Sequence, residues 1–315
     1  MFTTWRPRNS RNKVFLVCGT LMGIALIVSA CQGAATPGAT TQSTPKMVAA
    51  ETTWQRVLRT KTVTFGISNE PPYTILNPDG TISGVDPTAL KTVLSTYGVT
   101  NYVGVLTDWD SLIPGLIAGR YDIIAAGMAI RPVRCEQIAF SEGQYSNQQG
   151  FMVKAGNPLN LHSMDDIVNN PNVTMGTLRG GTQQELATDY KVPTDRLLTF
   201  PDVQSVLAAL EINRIQVAVQ PTATLDSLRA KASDPSAWEV IPITPAPHYA
   251  NGGSANDVMA VGFRKEDTDF MAAYNNALAK QLANPQQWAS TVIGNAGFSL
   301  PPSGVKTADI CGGKY

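Results

Sequence analysis

Strand-like and helix-like hydrophobic patterns alternate along most of this 315-residue chain. Short runs that are apolar, or that alternate between apolar and polar residues, predict strands over 62–67, 121–126, 151–154, 172–175, 215–219 and 258–263. Apolar residues spaced three and four apart predict helices over 87–97, 112–117, 183–190 and 203–212. Asp86 and Pro87 fit the N-cap and the first position of the first helix. This alternation indicates an α/β fold with a mostly parallel sheet covered by helices on both faces.

Two polar stretches interrupt the pattern. Residues 146–150 read SNQQG, and residues 243–254 are rich in Pro, Gly and Asn. Such composition is typical of connecting segments rather than of packed strands or helices. We expect the chain to cross from one lobe to another near each of these stretches. These two crossings predict a discontinuous first lobe, residues 56–149 and 249–315, and a contiguous second lobe, residues 150–248.

The first 30 residues have the order of a secretory signal peptide. Four basic residues precede an apolar run from Val14 to Val28, which at about 15 residues is shorter than the ~20 that a membrane-spanning helix needs. The sequence Val28-Ser29-Ala30-Cys31 resembles a bacterial lipobox and predicts lipid on Cys31, with an ordinary signal peptide as the alternative. Residues 31–55 are poor in large apolar side chains and are expected to form a flexible tether. We therefore expect an extracytoplasmic protein that a lipid anchor holds at the cell membrane.

The charge balance bears on the kind of partner. The chain holds 24 basic and 24 acidic side chains, and four basic but no acidic ones lie in residues 1–30, so the remainder carries a net charge of −4. A mildly acidic body of this kind argues against nucleic acid as a partner.

Cysteine usage agrees with export. Of the four Cys, Cys18 lies in the predicted signal peptide and Cys31 is the predicted lipid site, which leaves Cys135 and Cys311. In an oxidising compartment such a pair predicts a disulfide bond, with two separate buried thiols as the alternative. The bond would join the two parts of the discontinuous first lobe.

Residues 108–145 carry the most specific pattern in the chain. They read DWDSLIPGLIAGRYDIIAAGMAIRPVRCEQIAFSEGQY, which combines an aromatic residue, a Leu-Ile-Pro helix, Gly-Arg-Tyr-Asp, a Gly-Met turn, an Arg and a Phe-Ser pair. In this combination the chain resembles the family 3 solute-binding proteins of bacterial ABC importers, over about residues 61–270. Further segments resemble the ectoine- and hydroxyectoine-binding branch: NEPPY at 69–73, AAGM at 125–128, RC at 134–135, NPLNLH at 157–162 and ICG at 310–312.

This resemblance implies a fold and a set of partners. The family fold is the periplasmic-binding-protein type II fold, in which two α/β lobes are joined by two hinge strands and the solute binds in the cleft between them. The resemblance implies a monomer that captures a small carboxylate-bearing zwitterion, either an ectoine-like compatible solute or a polar amino acid. ABC permease and ATPase subunits are the implied protein partners, and neither a cofactor nor a metal ion is expected.

Arg134 is the first candidate ligand-binding residue. Its guanidinium offers a planar fork of donors that matches a carboxylate. It follows predicted strand 121–126 in a loop headed by Gly127, and ligands bind in such sheets at the carboxyl ends of the strands. The family places its carboxylate-binding Arg at this spacing after the Gly. A surface position is the alternative, and neighbouring Arg131 is a candidate for one.

Three more side chains of the first lobe match family positions. Tyr73 and Trp109 match positions where aromatic rings enclose the solute, and contact with a delocalised cation contributes roughly 0.5–2 kcal/mol per ring. Glu70 matches an acid that faces the cationic end of the solute in the ectoine-binding branch. Core packing of the rings and a solvated loop carboxylate at Glu70 are the alternatives.

Two positions depart from the family pattern. Ala129 has only a methyl group where ectoine binders carry a third aromatic ring and amino-acid binders carry Ser or Thr. Gln220 lies where α-amino-acid binders place an Asp for the ammonium group of the ligand, and an ammonium left unpaired in the cleft is strongly disfavoured. An ordinary α-amino acid is therefore less favoured than a zwitterion whose positive charge is diffuse or shielded.

The second lobe contributes a Gly-rich turn. Gly180, Gly181, Thr182 and Gln183 form this turn and its entry into predicted helix 183–190, and backbone N–H groups at the start of a helix suit an anion or a carbonyl. A simple tight connection is the alternative. The complete predicted site consists of Glu70, Tyr73, Trp109, Gly127, Ala129, Arg134, Gly181 and Thr182.

Two other classes of protein compete with a transport function. The first is an enzyme, because dehydratases with this two-lobed fold exist. The only two His, His162 and His248, lie outside the matched cleft positions, and the sequence has no HExxH, CxxC, GxSxG or GxxxxGK motif. We therefore expect that the chain is not an enzyme. The second alternative is a sensing or adaptor lipoprotein that binds a solute, such as a polar amino acid, and signals through a partner.

Overall fold

Two five-stranded sheets form the framework of residues 50–315. The computed structural model describes residues 50–315, so the predicted signal peptide, Cys31 and most of the predicted tether lie outside the described residues. The strands are β1 (Thr62–Ile67), β2 (Ile75–Leu76), β3 (Ile82–Ser83), β4 (Asn101–Leu106), β5 (Ile123–Ile124), β6 (Ala139–Phe140), β7 (Tyr145–Ser146), β8 (Gln149–Lys154), β9 (Met175–Leu178), β10 (Leu197–Phe200), β11 (Val217–Pro221), β12 (Trp238–Pro242), β13 (Val258–Met259) and β14 (Gly262–Phe263). The helices are α1 (Thr53–Thr60), α2 (Val85–Leu94), α3 (Leu112–Ile117), α4 (Pro132–Cys135), α5 (Met164–Asn169), α6 (Thr182–Asp189), α7 (Val203–Glu211), α8 (Thr222–Arg229), α9 (Thr268–Leu282), α10 (Pro285–Trp288) and α11 (Thr307–Cys311). Within residues 50–315, none of the helices has the length and apolar character needed to span a bilayer.

Lobe 1 is built on a sheet with the strand order β4–β1–β5–β14–β6. Strand β1 pairs in parallel with β4 and β5, as strand–helix–strand connections require, and β14 runs antiparallel to β5 and β6. Phe65 of β1, Leu90 of α2 and Phe270 of α9 are buried in one core. Because β14 comes from the far end of the chain, this sheet draws on two separate parts of the sequence.

Lobe 2 is built on a second sheet with the strand order β10–β9–β11–β8–β12. Strand β9 pairs in parallel with β10 and β11, whereas β8 runs antiparallel to β11 and β12. Helix α7 begins after Asp202, whose side chain accepts the backbone N–H of Ser205 at 2.7 Å. Its Val206 and Leu210 are fully buried, as its predicted apolar stripe requires.

Two chain segments connect the lobes and pair with each other. Strand β7 runs antiparallel to β13. The first segment leads from β7 directly into β8 of lobe 2, and the second returns from β12 through residues 243–257 to β13. We call β7 and β13 the crossing strands. The two-lobed α/β fold expected from the family resemblance is thereby confirmed. The expectation of a mostly parallel sheet is wrong for the described residues, because each sheet has two parallel and two antiparallel strand pairings.

Five of the six predicted strands differ in extent from the observed ones. Strand β8 begins two residues before predicted strand 151–154, and β11 lies two residues beyond predicted strand 215–219. Predicted strand 121–126 is regular only at β5, because the chain turns away at Gly127, whose φ is +66°. Predicted strand 172–175 is displaced to β9, since the N–H of Val173 closes a turn onto the carbonyl of Asn170 at 3.1 Å. Predicted strand 258–263 divides into β13 and β14, because the intervening Ala260 N–H bonds to Met128 O and the chain changes partner from β7 to β5.

The first two helices of lobe 1 also differ from what the sequence predicted. Helix α1 begins at Thr53, within the last three residues assigned to the tether, and Thr52 and Gln55 cap it reciprocally. Asp86 does not cap α2, because the helix starts two residues earlier than predicted, with Gly84 as its N-cap residue. The Asp86 carboxylate instead accepts the hydroxyl of Tyr145 at 2.6 Å and the backbone N–H of Gly127.

The predicted disulfide bond between Cys135 and Cys311 is present in the structure. It joins the end of α4 to the end of α11 across 176 residues of sequence. Closing a long loop removes conformational freedom from the unfolded chain, and native disulfides of this kind stabilise the folded state by about 2–5 kcal/mol. The bond holds the last residues of the chain against the segment that follows Arg134.

Candidate ligand-binding site

A cavity lies between the lobes. It is bounded by residues that follow β1, β4 and β5 in lobe 1 and by residues at the ends of β9 and β11 in lobe 2. The lining residues are Glu70, Tyr73, Trp109, Gly127, Ala129, Arg134, Asn147, Leu178, Gly181, Thr182, Gln183, Gln220, Pro221 and Met259. The structure therefore brings all eight sequence-predicted site residues together at one place.

Arg134 lies in α4 and is 6% exposed. Its Nη1 donates to the carbonyl of Ala129 at 3.0 Å, and its Nη2 donates to the carbonyl of Gly180 in lobe 2 at 3.1 Å. Burial lowers the pKa of Arg134 from its usual value, and the nearby Asp257 carboxyl opposes that shift. A guanidinium has five N–H donors, so the two hydrogen bonds to carbonyls leave donors for a ligand.

Trp109 links the lobes at the same point as Arg134. Its indole Nε1 donates to the carbonyl of Gly180 at 3.2 Å, and its ring centroid lies 5.6 Å from the guanidinium carbon of Arg134. The ring is 7% exposed and sits in a short 3₁₀ turn, Trp109–Ser111, which follows β4. One carbonyl of lobe 2 thus accepts two hydrogen bonds from lobe 1.

The ring of Tyr73 lies directly against the turn at Gly127. A Cβ at Gly127 would overlap the Tyr73 ring, and the positive φ of Gly127 is a conformation that side chains other than Gly rarely adopt. The Tyr73 hydroxyl accepts Asn147 Nδ2 at 3.0 Å. The ring of Phe298 packs on Tyr73 with a centroid separation of 4.6 Å. Tyr73 is therefore fixed from several sides, and it lines the cavity while being 1% exposed.

Glu70 is the acidic side chain of the cavity lining. It is 4% exposed, and Thr224 of lobe 2 donates its hydroxyl to Glu70 Oε1 at 2.9 Å. The pKa of Glu70 is raised to about 7, mainly by burial and to a smaller extent by the neighbouring Asp86 carboxyl. The Thr224 hydroxyl and the Arg134 guanidinium act in the opposite direction. A positive charge placed in the cavity would favour the ionised form of Glu70.

The start of α6 supplies the lobe 2 side of the cavity. Gly181 is the N-cap residue, and Gly180 precedes it with φ +71°. Among the described residues, the backbone N–H groups of Thr182 and Gln183 have no hydrogen-bond partner. Unpaired N–H groups and the positive end of the helix dipole both favour an anion at this point.

Gln220 is a buried side chain whose acceptor has no partner in the described part of the chain. Its Nε2 donates to Thr177 Oγ1 at 3.2 Å, which leaves Oε1 without a hydrogen bond. The side chain is 1% exposed and lines the cavity. A buried acceptor of this kind favours a ligand that brings an N–H or O–H donor.

Arg131 is buried, which corrects its interpretation as a surface residue. Only 3% of it is exposed; its guanidinium carbon lies 3.2 Å from the centroid of the Tyr249 ring, and its Nη2 is 2.7 Å from Glu185 Oε1 of α6. The Tyr249 hydroxyl donates to Asp257 at 2.8 Å. Burial raises the pKa of Asp257 to about 6, although Arg131 opposes the shift. These residues surround the cavity without lining it.

The lining contains side chains that sequence reasoning missed. Asn147 lies in a segment interpreted as a connection, and nothing in its local pattern distinguishes it from a solvated residue. Gln183 belongs to the predicted Gly-rich turn of lobe 2 but is not among the predicted ligand-binding residues. Asn147 holds the Tyr73 hydroxyl, and Gln183 Nε2 donates to Gln149 Oε1 at 2.8 Å. The sequence contains one signal for Asn147. It lies in the SNQQG stretch at a predicted crossing between the lobes, and such hinge segments border the cleft.

Comparison with known proteins gives a family and a set of relatives. The profile of the bacterial extracellular solute-binding proteins, family 3, matches residues 63–289. A probable amino-acid ABC transporter periplasmic-binding protein of Sinorhizobium fredii is 32% identical over 219 residues, which are 69% of this chain and 71% of that protein. An L-arginine-binding protein of Pseudomonas aeruginosa is 25% identical over 71% of this chain and 84% of that protein. A crystal structure of EhuB in complex with hydroxyectoine superimposes with a TM-score of 0.74 at 33% identity, covering 83% of this chain and 98% of EhuB.

Proposed function

The chain belongs to family 3 of the bacterial extracellular solute-binding proteins, and on this premise we propose that its cavity binds a small zwitterion with one carboxylate and one delocalised cation. Ectoine and hydroxyectoine are the first candidates. The family membership predicted from residues 108–145 is confirmed, and the chain is the substrate-binding component of an ABC importer.

The charge inventory of the cavity carries the proposal. Among the lining residues in the described range 50–315, Arg134 is the only cation and Glu70 the only carboxylate. A zwitterion with one group of each sign finds a partner for both charges. Arginine has one carboxylate and two cationic groups, so one buried cation would stay unmatched at substantial cost. The neutral side chain of Gln220, where a second acid would serve an α-ammonium group, supports the same choice.

We infer a position for each end of the solute. Its carboxylate binds the free donors of Arg134 and the unpaired N–H groups at the start of α6, which lie on opposite lobes. Its cationic end lies near Glu70 and against the ring faces of Tyr73 and Trp109. A solute that contacts both lobes stabilises the closed arrangement over any open one, because only the closed arrangement provides both sets of contacts.

The lipid anchor is part of the same proposal. Relatives of the chain carry periplasmic-binding names, which supports a site of action outside the cytoplasm. Cys31 lies at the end of the predicted signal peptide, and lipid on its side chain and amine would hold the two lobes near the permease. We expect mass spectrometry of the exported protein to find acyl chains on an N-terminal Cys31. An unmodified Cys31 there would contradict the anchor and leave the solute site untouched.

The family relatives named above are binding proteins, and we propose that this chain also binds its solute without converting it. NMR of the solute recovered after prolonged incubation should show the starting compound unchanged. The same sample serves the binding experiment that follows.

Calorimetric titration with ectoine, hydroxyectoine, arginine and histidine tests the proposed ligand. We expect ectoine or hydroxyectoine to bind with a Kd of about 1 μM or below, or about −8 kcal/mol, and arginine and histidine to bind at least about 100-fold more weakly. Gln220→Asp should narrow that gap by about tenfold or more, because it adds the carboxylate that an α-ammonium group requires. Tighter binding of arginine than of either ectoine by the unsubstituted protein would overturn the proposed ligand class.

A further inference from the structure

The last 26 residues lie beyond the segment that matches the family profile, and they pack along the connection between the lobes. We call residues 290–315 the C-terminal extension. Ser299 forms two backbone hydrogen bonds with Ser146 of crossing strand β7, at 2.8 and 3.0 Å. The extension therefore adds a third strand-like segment to the two crossing strands.

The extension also reaches lobe 2 and the second connection. A Cβ placed on Gly297 would lie 3.4 Å from the Cβ of Ala223 in α8. A Cβ placed on Gly253 would overlap the carbonyl oxygen of Tyr315. The extension thus touches both segments that join the lobes, as well as the start of a lobe 2 helix.

Phe298 is the side chain of this extension that approaches the cavity. Its ring centroid lies 4.6 Å from that of Tyr73 and 4.9 Å from that of Tyr145, with interplanar angles of 34° and 33°. Tyr73 lines the cavity, whereas Phe298 does not. The contact between Phe298 and any solute is therefore indirect, through the ring of Tyr73.

The extension is anchored independently of the cavity. Thr307 donates its hydroxyl to Ser141 O at 2.7 Å, and the bond between Cys311 and Cys135 fixes the following turn. Ile310 between them is 3% exposed and belongs to a buried core. The segment that carries Phe298 is therefore attached to lobe 1 at Thr307 and at Cys311.

We propose that Phe298 is a positioning residue for solute binding: from the C-terminal extension it holds the ring of Tyr73 against Gly127, in the orientation that faces the solute. This inference rests on the proposed function of the cavity. Without Phe298, the space that its ring fills beside Tyr73 becomes free, and Tyr73 gains orientations that do not present a face to the cation. The solute must then select the productive orientation, which reduces its apparent affinity.

A double-mutant cycle with hydroxyectoine as titrant tests this role. Phe298→Ala should raise Kd about fivefold to tenfold, and Phe298→Tyr, which keeps the ring, should stay within about twofold of the unsubstituted protein. In a Tyr73→Ala background, Phe298→Ala should have no further effect on Kd, because its effect passes through Tyr73. Leu300→Ala, in the same extension and 36% exposed, is the matched control and should leave Kd unchanged.

The outcomes separate this role from a general effect on stability. An equal rise in Kd from Phe298→Ala in both backgrounds, or no rise in either, would overturn the inference. If Tyr73→Ala alone leaves Kd unchanged, the proposed site itself is wrong at Tyr73. If Phe298→Ala does not fold, Phe298→Leu provides the same comparison, with an expected rise of about twofold to threefold.

Hydrogen exchange in the solute-free protein gives a readout that needs no ligand. The backbone N–H of Asp86 bonds to Tyr73 O, and that of Thr74 bonds to Glu70 O, each at 3.1 Å. Phe298→Ala should speed exchange at these two amides relative to the amides of lobe 2, since Tyr73 becomes more mobile. Unchanged exchange at both amides would contradict the positioning role even if hydroxyectoine is not the solute.

Discussion

Replacing Arg134 by alanine should weaken solute binding by about 30-fold to several thousandfold, or roughly 2–5 kcal/mol. The variant removes the only cation of the cavity lining and leaves the solute carboxylate without its charged partner. It also removes the hydrogen bond from Arg134 to Gly180 O, one of the contacts that join the lobes around the cavity. Both losses act in the same direction, so isothermal calorimetry should register a large drop in affinity.

Two further variants define the meaning of that result. Arg134→Lys keeps the charge but loses the planar fork of donors, and we expect it to recover only part of the affinity. Arg179→Ala removes an exposed Arg at the same edge of the cleft, 3.5 Å from Asp110, and should change Kd by less than about threefold. Undiminished affinity in Arg134→Ala, or an equal loss in Arg179→Ala, would remove Arg134 from the solute site.

Solute affinity should rise with pH and level off above about pH 8. Burial raises the pKa of Glu70 to about 7 in the solute-free protein, and we propose that the ionised form holds the cationic end of the solute. Below pH 7 the solute must displace a proton from Glu70. Kd should therefore increase by up to about tenfold for each unit by which the pH falls. Titrations between pH 5.5 and 8.5 should show this slope.

Glu70→Gln separates this effect from other titrations. The amide keeps the size of the side chain and an acceptor for Thr224, so we expect a folded protein with a nearly flat pH profile and, at pH 8, at least about tenfold weaker binding. Asp86 also has its pKa raised to about 7 by burial, but its carboxylate contacts Tyr145 and the Gly127 N–H rather than the cavity. A pH slope that survives in Glu70→Gln would assign the dependence to another group.

The free energy of unfolding of the solute-free protein should decrease as pH rises, whereas solute affinity should increase. Burial raises the pKa of Glu70 and Asp86 to about 7 and that of Asp257 to about 6, all above their usual values. Between those usual values and the raised ones, the folded state binds more protons than the unfolded state. The free energy of unfolding therefore decreases as pH rises through this window, by up to about 1.4 kcal/mol per pH unit for each group. Thermal melts of the solute-free protein at pH 5.5 and 8 give this contribution.

The part of the site that the sequence predicted is local in the chain. Gly127 and Arg134 lie seven residues apart after a buried strand, and Gly181 and Thr182 start a helix, so short-range pattern and family motif were enough to place them. The α/β character of the fold also follows from strand–helix alternation, because that pattern repeats along most of the chain, whereas the number of strands in each sheet does not. The binding roles of these residues remain predictions, although all of them line one cavity.

The rest depends on contacts between distant parts of the sequence. Asp86 reads as a helix cap from its neighbours, but its carboxylate is used by Gly127 and Tyr145, 41 and 59 residues away. Arg131 reads as a surface residue because its partners Glu185 and Tyr249 come from other segments. Local pattern carries no signal for such pairings. Local pattern also fails to predict where a strand ends when the end is set by a change of partner. Strand β13 pairs with β7, and after it the chain pairs with β5 as β14.

The order of strands in the two sheets has a consequence for biosynthesis. Every strand of the lobe 2 sheet comes from residues 149–242, whereas β14, which lies between β5 and β6 of the lobe 1 sheet, comes from residues 262–263. A nascent chain therefore holds all the strands of the contiguous lobe before it holds those of the lobe that begins first. Since domains fold as units once their elements are available, the N-terminal part of lobe 1 has to wait, with β5 and β6 unjoined, until the segment that fits between them is available.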